Sequence, residues 1–139
     1  MFTGLIQGKV KVLKVEDLGE GKACWIDSPI PDLVLGESIA FNGTCTTVCE
    51  IEKSGQFKIE ILEETLRKTT FSIIRVGDEL NYERSLTLSD RMGGHWVTGH
   101  VDCTGEVIDL KESGPWTEIV IGYPERNAEL LVEKGSIAL

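Results

Sequence analysis

The sequence predicts an all-β protein: a small closed barrel of six short strands, followed by the first half of a second, similar barrel. Three observations carry this. Short runs rich in Val, Ile, Leu and Thr are punctuated by Gly, Pro, Asn and Asp at regular spacing through residue 86, the pattern of a small β-barrel. Only one short segment in that stretch reads as helix. The chain also repeats itself: "GKVKVL" (8–13) aligns with "GEVIDL" (105–110), and "ESIAF" (37–41) with "GSIAL" (135–139). The offsets are 97 and 98, so one single-residue insertion keeps the two copies in step over about 40 residues.

The first copy opens with "LIQGKVKVLKVEDL" (5–18), which alternates in part and reads as a strand. "GEG" (19–21) turns the chain, and "KACWIDS" (22–28) is a short strand stopped by Pro29 and Pro31. "ESIAFNGTCTTVCEI" (37–51) reads as one long strand, with a kink or bulge expected at Gly43. "SGQ" (54–56) is the next turn, and "FKIEIL" (57–62) alternates cleanly. "EETLRKTTF" (63–71) is the helical candidate, with Thr65 and Leu66 packing while Glu64 and Arg67 stay solvated. "GDELNYERSL" (77–86) is the last strand, entered through a Gly-Asp turn.

In the second copy, "VDCTGEVIDL" (101–110) and "WTEIVIGY" (116–123) read as strands around "ESGP" (112–115). "PERNAELLVEKG" (124–135) reads as a helix, with Pro124 in its first turn and Gly135 at its C-terminal cap. "SIAL" (136–139) would start a third strand. The expected boundaries are residues 1–88 for the first barrel, 89–97 for a connection and 98–139 for an incomplete second barrel. The second copy stops at the equivalent of Phe41, which predicts a truncated, cleaved or incomplete chain whose half-barrel has open strand edges.

Composition narrows the function. With 41% hydrophobic and 27% charged residues, the chain suits an ordinary globular domain rather than a disordered one. A net charge of −9 with no Lys/Arg cluster argues against nucleic acid and membrane surfaces as partners. No apolar run approaches the roughly 20 residues of a membrane span. "MFTGLIQGKV" lacks the basic start and long apolar stretch of a signal peptide, so the expected compartment is the cytoplasm. Cys24, Cys45, Cys49 and Cys103 include no C-x2-C pair, and the only histidines are His95 and His100. A metal site would need scattered ligands; none is expected, and the thiols read as buried and reduced. "MGGH" (92–95) lacks the phosphate-loop pattern, so its glycines read as room for the chain to pass between barrels. Trp25, Trp96 and Trp116 read as packing residues.

Four separated stretches resemble, in order, the motifs of the riboflavin synthase alpha-chain family: "MFTGLIQG" (1–8), "SIAFNGTCTTV" (38–48), "ETLRKT" (64–69) and "SDRMGGHWVTGHVDCTG" (89–105). The resemblance runs over the whole chain, and "KGSIAL" looks like the start of the family's second core motif. It implies two similar six-stranded Greek-key barrels and a C-terminal helix that helps form a trimer. It implies dismutation of two molecules of 6,7-dimethyl-8-ribityllumazine to riboflavin and 5-amino-6-ribitylaminouracil, a four-carbon transfer that needs no metal or redox cofactor. The implied site lies between the N-terminal barrel of one subunit and the C-terminal barrel of its neighbour, and association with lumazine synthase is a further implied partnership. The implied assembly is the family trimer or, without the C-terminal helix, a dimer of N-terminal barrels, with the half-barrel disordered or paired with its copy in another chain. The alternative within the same fold family is a lumazine- or flavin-binding protein, or a ligand-binding fragment of the enzyme, without turnover. A third, unrelated reading is a small barrel that binds oligonucleotide or protein; the acidic charge and the lack of an aromatic-basic face weigh against nucleic acid.

The individual residues each carry two readings. Cys45 and Thr47, two apart on a strand, share one face. On the strand alone they are a small buried residue and a strand former; the resemblance puts their positions, and that of Ser38, in the lumazine site. Thr46 stands where the family has a larger apolar residue and points to the opposite face. Cys49 lies on the Cys45 face and reads as structural. Histidine exchanges protons near neutral pH, so His95 or His100 suits either a base for the lumazine C7 methyl or a satisfied interdomain contact. The resemblance places His100 and Val101 at the site and leaves His95 to shape the connection. Phe2, Thr3 and Gly4 match a segment needed for activity in the family, although termini are usually loose. Glu64 and Thr65 open the short helix, either as an acidic first turn or with free N–H groups toward a ring carbonyl. Leu62 precedes them, on the strand, where it can pack on the pteridine. The resemblance therefore implies Phe2, Ser38, Cys45 and His100 as catalytic residues, and Thr3, Gly4, Thr47, Leu62, Glu64, Thr65 and Val101 as binding residues.

Overall fold

The computed structural model describes Met1–Leu139. The chain divides into two units, Met1–Val101 with Ala138–Leu139, and Asp102–Ile137. In the first unit, strands β1 (Gly8–Asp17), β2 (Gly21–Asp27), β3 (Ser38–Phe41), β4 (Thr44–Ile51), β5 (Phe57–Leu62) and β6 (Glu79–Arg84) are joined by helix α1 (Glu63–Lys68) and a 3-10 turn at Thr70–Ile73. They close into an antiparallel barrel in the order β1-β2-β5-β4-β3-β6, with β6 returning to β1 through Gly8↔Tyr82 to Lys11↔Glu79. The order is a Greek key: β2 meets β5, and β6 meets both β1 and β3, across long connections rather than through hairpins.

The stretch 37–51 is two strands, not one. Asn42 (φ 47°) and Gly43 (φ 78°) form the two-residue turn between β3 and β4. A tight hairpin turn of this kind needs positive φ at both central residues, which Asn and Gly tolerate best. The expected kink or bulge at Gly43 is therefore a chain reversal. The irregularities fall instead between Val12 and Lys14 and between Val48 and Glu50.

Alternation fills the barrel. Val10, Val12, Cys24, Ile26, Ile39, Phe41, Val48, Phe57, Ile59, Ile61 and Leu80 form one core, with the Phe41 and Phe57 rings stacked at 5.9 Å between centroids. Fully buried apolar side chains of this size each contribute about 1.5–3 kcal/mol. Burial pushes the Cys24 thiol up to about 11. The other cysteines depart from the expected burial: Cys45 and Cys103 are half-buried and Cys49 is exposed. Cys45 and Cys49 alternate out of phase with the inward Thr44, Thr46 and Val48.

The crossings are pinned by side chains. Arg84 donates to both carboxylate oxygens of Glu37, at 2.5 and 2.9 Å, and to the Pro31 carbonyl at 3.0 Å, tying the β2–β3 connection to β6. Around α1 the exposure pattern is as the sequence predicts, with Thr65 and Leu66 half-buried and Glu64 and Arg67 exposed. Thr69 closes α1 by donating to the Thr65 carbonyl at 2.7 Å and accepting from the Phe71 N–H at 3.3 Å.

The second unit contains a hairpin of β7 (Glu106–Ser113) and β8 (Trp116–Gly122), paired from Glu106↔Gly122 to Ser113↔Trp116. A 3-10 segment follows at Glu125–Leu130, with Pro124 as its N-cap and no buried residue. It replaces the α-helix expected over 124–135, since a helix this short has little support without an apolar face to bury. Residues 136–139 pair with no strand. Trp25 is half-buried, its indole N–H donating to Glu16 at 3.3 Å. Trp96 and Trp116 are exposed, contrary to the packing role expected of them.

Candidate functional site

The outer face of the barrel at β6, β3, β4 and β5 gathers most of the residues singled out in the sequence. Because Ile39 and Phe41 point inward, Ser38 and Ala40 point outward; on β4 the outward residues are Cys45, Thr47 and Cys49. Register aligns them. Ser38 faces Thr47 and Ala40 faces Cys45, while Glu83 on β6 faces Ala40 from the other side. The β4–β5 pairing ends at Val48↔Ile59, and Leu62 lies outward at the end of β5, beyond the paired stretch. One row across the face is thus Glu83, Ala40 and Cys45, and the row beside it contains Ser38 and Thr47.

Leu62 is 71% exposed, a large apolar side chain at the N-cap of α1. Glu64 and Thr65 follow it. Glu64 is paired with Lys68 at 3.0 Å, and the hydrogen bond from Lys68 holds its carboxyl below the usual range. Glu64 is the second residue of α1, and no side chain caps that helix.

The N-terminus lies across this face. Phe2 and Val97 form an antiparallel bridge, with the Phe2 N–H donating to the Val97 carbonyl at 2.8 Å and the Val97 N–H returning to Phe2 at 3.1 Å. The His95 N–H donates to the Thr3 carbonyl at 3.0 Å, and the Leu86 N–H to the Met1 carbonyl at 2.9 Å. His95 thus holds Thr3 through its backbone N–H. Thr3 is fixed by Glu83, whose Oε1 accepts from its N–H and from its hydroxyl, both at 2.6 Å; Oε2 accepts from the Gly4 N–H at 2.9 Å.

The second cover is the "TGH" loop. The Cys45 N–H donates to the Gly99 carbonyl at 2.8 Å. A Cβ on Gly99 would stand 2.7 Å from the Cys45 Cβ and 3.1 Å from Cε2 of Phe2, so this position takes only glycine. Gly94 is confined in the same way, 2.3 Å from such a Cβ to the Thr3 carbonyl oxygen. Ala40 and Glu83, outward on their strands, are consequently only 4% and 5% exposed. His100, next in the loop, is exposed, its N–H donating to the Thr98 hydroxyl at 3.2 Å; Val101 is half-buried.

The fold therefore brings Phe2, Thr3, Gly4, Cys45 and the Gly99–His100 loop together, sets Ser38, Thr47 and Leu62 on the same sheet face, and leaves Glu64 and Thr65 one step beyond Leu62. Sequence reasoning missed Ala40, Glu83 and Gly99. Of these only Gly99 carried a signal, as a lone glycine beside a candidate histidine.

A family model described as lumazine binding domain matches residues 3–85. The riboflavin synthase of Brucella abortus (strain 2308) is 41% identical over 145 residues, spanning all of this chain and 72% of the relative. This chain belongs to the riboflavin synthase family of lumazine-binding proteins. Another member, the riboflavin synthase of Mycobacterium tuberculosis (strain ATCC 25618 / H37Rv), is 38% identical and covered over 70% of its length. Among solved structures, LumP complexed with 6,7-dimethyl-8-(1'-D-ribityl) lumazine superposes with a TM-score of 0.79 over 90% of this chain and 70% of that one, at 23% identity. LumP complexed with riboflavin gives 0.80 over 93% and 71%, also at 23% identity. The riboflavin synthase family barrel is thus the fold seen here.

Proposed function

We propose that the chain binds 6,7-dimethyl-8-ribityllumazine on the outer face around Cys45 and takes part in its dismutation to riboflavin and 5-amino-6-ribitylaminouracil. The observation that carries this reading is the convergence of the N-terminal segment, β4 and the His100 loop on one sheet face. Leu62 offers apolar surface to a flat heterocycle, while Phe2, 1% exposed, packs beneath the loop that covers Cys45. Ser38 and Thr47 offer hydroxyls, and Thr3 and Gly4 fix the segment that carries Phe2. His100, exposed at the rim, is the group able to take a proton from the acidic C7 methyl. Cys45 and Thr65 line the same reading as contacts, and Val101 packs beside the ligand. Glu64, its carboxylate paired with Lys68, offers its backbone N–H in the first turn of α1.

The chemistry asks little of the protein beyond geometry. One lumazine loses a C7-methyl proton, and the pteridine delocalises the anion. The other is activated at its own C7 by water or a ribityl hydroxyl. Four carbons pass between them, and the two products together hold the atoms and electrons of the two substrates. Holding two rings face to face is worth roughly 7–11 kcal/mol at the upper end, and hydrogen bonds to the ring carbonyls stabilise developing charge. In this reading a second copy of the chain presents the second lumazine.

The alternative is binding without turnover, favoured by the fact that one outer face accounts for one ligand. Mixing the purified chain with 6,7-dimethyl-8-ribityllumazine and following absorbance and fluorescence separates the two. Riboflavin forming faster than in a protein-free control supports the enzyme. A change in ligand fluorescence without product supports the binding protein, and no optical change sinks both.

A further inference from the structure

We infer that Glu83 is a positioning residue: it latches Met1–Gly4 across the outer face and so sets the ligand site, an inference that rests on the lumazine reading above. Glu83 occupies an outward position on β6, where a charged residue ordinarily meets water, yet it is 5% exposed. None of its hydrogen bonds comes from a basic side chain. Every donor belongs to the N-terminal segment: the Thr3 N–H, the Thr3 hydroxyl and the Gly4 N–H. A buried carboxylate is expensive unless its oxygens are satisfied, and bonds to an ionised acceptor are the stronger kind. Nothing in the barrel core calls for an acid here; Leu80 and Tyr82 serve the core from the other face of the strand.

The latch reaches the candidate site in steps that are all short contacts. Thr3 is held by Glu83 and accepts from His95. Phe2, next in the chain, bridges Val97. Its ring lies against Gly99, which bonds Cys45. Ala40, between Glu83 and Cys45 in the same row, is a small outward side chain that is itself buried. Releasing Thr3 from Glu83 therefore leaves Phe2 and the loop over Cys45 held only by their backbone bonds, without touching the barrel ladder.

The test compares the wild-type chain with Glu83→Gln and Thr3→Val. Glutamine keeps one acceptor oxygen but turns N–H donors toward Thr3 or Gly4, so at least one bond is lost in either orientation. Valine keeps the shape of Thr3 and removes only its hydroxyl. Amide hydrogen exchange at His95 and Val97 reports the latch, and exchange at Ile39 and Val48 reports the barrel. Expected in Glu83→Gln is faster exchange at His95 and Val97 and weaker lumazine binding by fluorescence, each by about tenfold or more, the effect of one charge-assisted hydrogen bond. Ile39 and Val48 should not change, and Thr3→Val should move the same readouts less. Unchanged exchange at His95 and Val97 in both variants overturns the latch. Faster exchange with unchanged lumazine affinity overturns the positioning role. If wild-type chain takes no lumazine, the ligand reading fails and the positioning role with it, while the exchange data still decide the latch. Should Glu83→Gln not fold, Thr3→Val alone decides by the same criteria.

Discussion

A methyl group at Gly99 would meet the Cβ of Cys45 at 2.7 Å and its backbone nitrogen at 2.9 Å, in a residue whose φ is already 78°. Side chains at such φ cost about 1–2 kcal/mol before any clash. Gly99→Ala is therefore expected to lift the loop from Cys45 and weaken lumazine binding by more than about tenfold. The barrel's own unfolding in urea should fall by only about 1–3 kcal/mol. Cys24 gives a second expectation at this scale. Burial holds its thiol at about 11, above the ordinary 9.0, so the folded state favours the protonated form. Its contribution is complete below pH 9.0 and is lost as pH rises toward about 11. Wild type should lose more stability than Cys24→Ala across that window, measured as the difference between their urea midpoints. At the residue scale the site was half legible. Cys45, Thr47 and Ser38 could be found because alternation along a strand assigns faces. Glu83 could not: alternation marks it outward, an outward acid reads as solvated, and the partner that buries it lies 80 residues away.

Elements were easier to find than their joints. Each strand of the barrel falls in a segment that patterned as a strand, with β2 starting one residue earlier at Gly21, since period-two alternation survives in Val10/Val12 and in Phe57/Ile59/Ile61. The error at 37–51 came from weighing Gly43 alone. Asn42 and Gly43 together are the hairpin signal, and both adopt positive φ. Asn42 also exchanges bonds with Asn81 on β6, donating its N–H to the Asn81 carbonyl and accepting from the Asn81 N–H through Oδ1, both at 2.9 Å. The turn is thus anchored to a third strand. Gly43→Ala, with open space around it but φ at 78°, is expected to lower stability by about 1–2 kcal/mol through backbone strain alone. Chemical denaturation measures this, and an unchanged midpoint would show that the turn relaxes freely. The 3-10 segment at Glu125–Leu130 was misread as α-helix because Pro124 and Gly135 gave helix-end signals without a buried face between them.

For the molecule as a whole, the two units differ in how they treat apolar surface. The barrel leaves no strand of its sheet without two neighbours, which removes the edges that invite association. The β7–β8 hairpin has one ladder and exposes Val107 (59%), Leu110 (57%) and Trp116 (77%). Apolar surface of this kind marks association or aggregation. The full chain is expected to enhance the fluorescence of an apolar dye such as anilinonaphthalene sulfonate. A chain of residues 1–101 should unfold cooperatively and enhance it far less. Equal dye binding by the two would place the sticky surface on the barrel instead.

The bridge between Phe2 and Val97 has a consequence for the order in which the protein is made. Phe2 and Thr3 are made long before their partners, because Glu83, His95, Val97 and Gly99 all follow them by 80 residues or more. Closing so long a loop yields little until the barrel has brought its ends close. The covered outer face is therefore assembled on a finished barrel, and a nascent chain stalled before residue 95 would own the sheet without its cover.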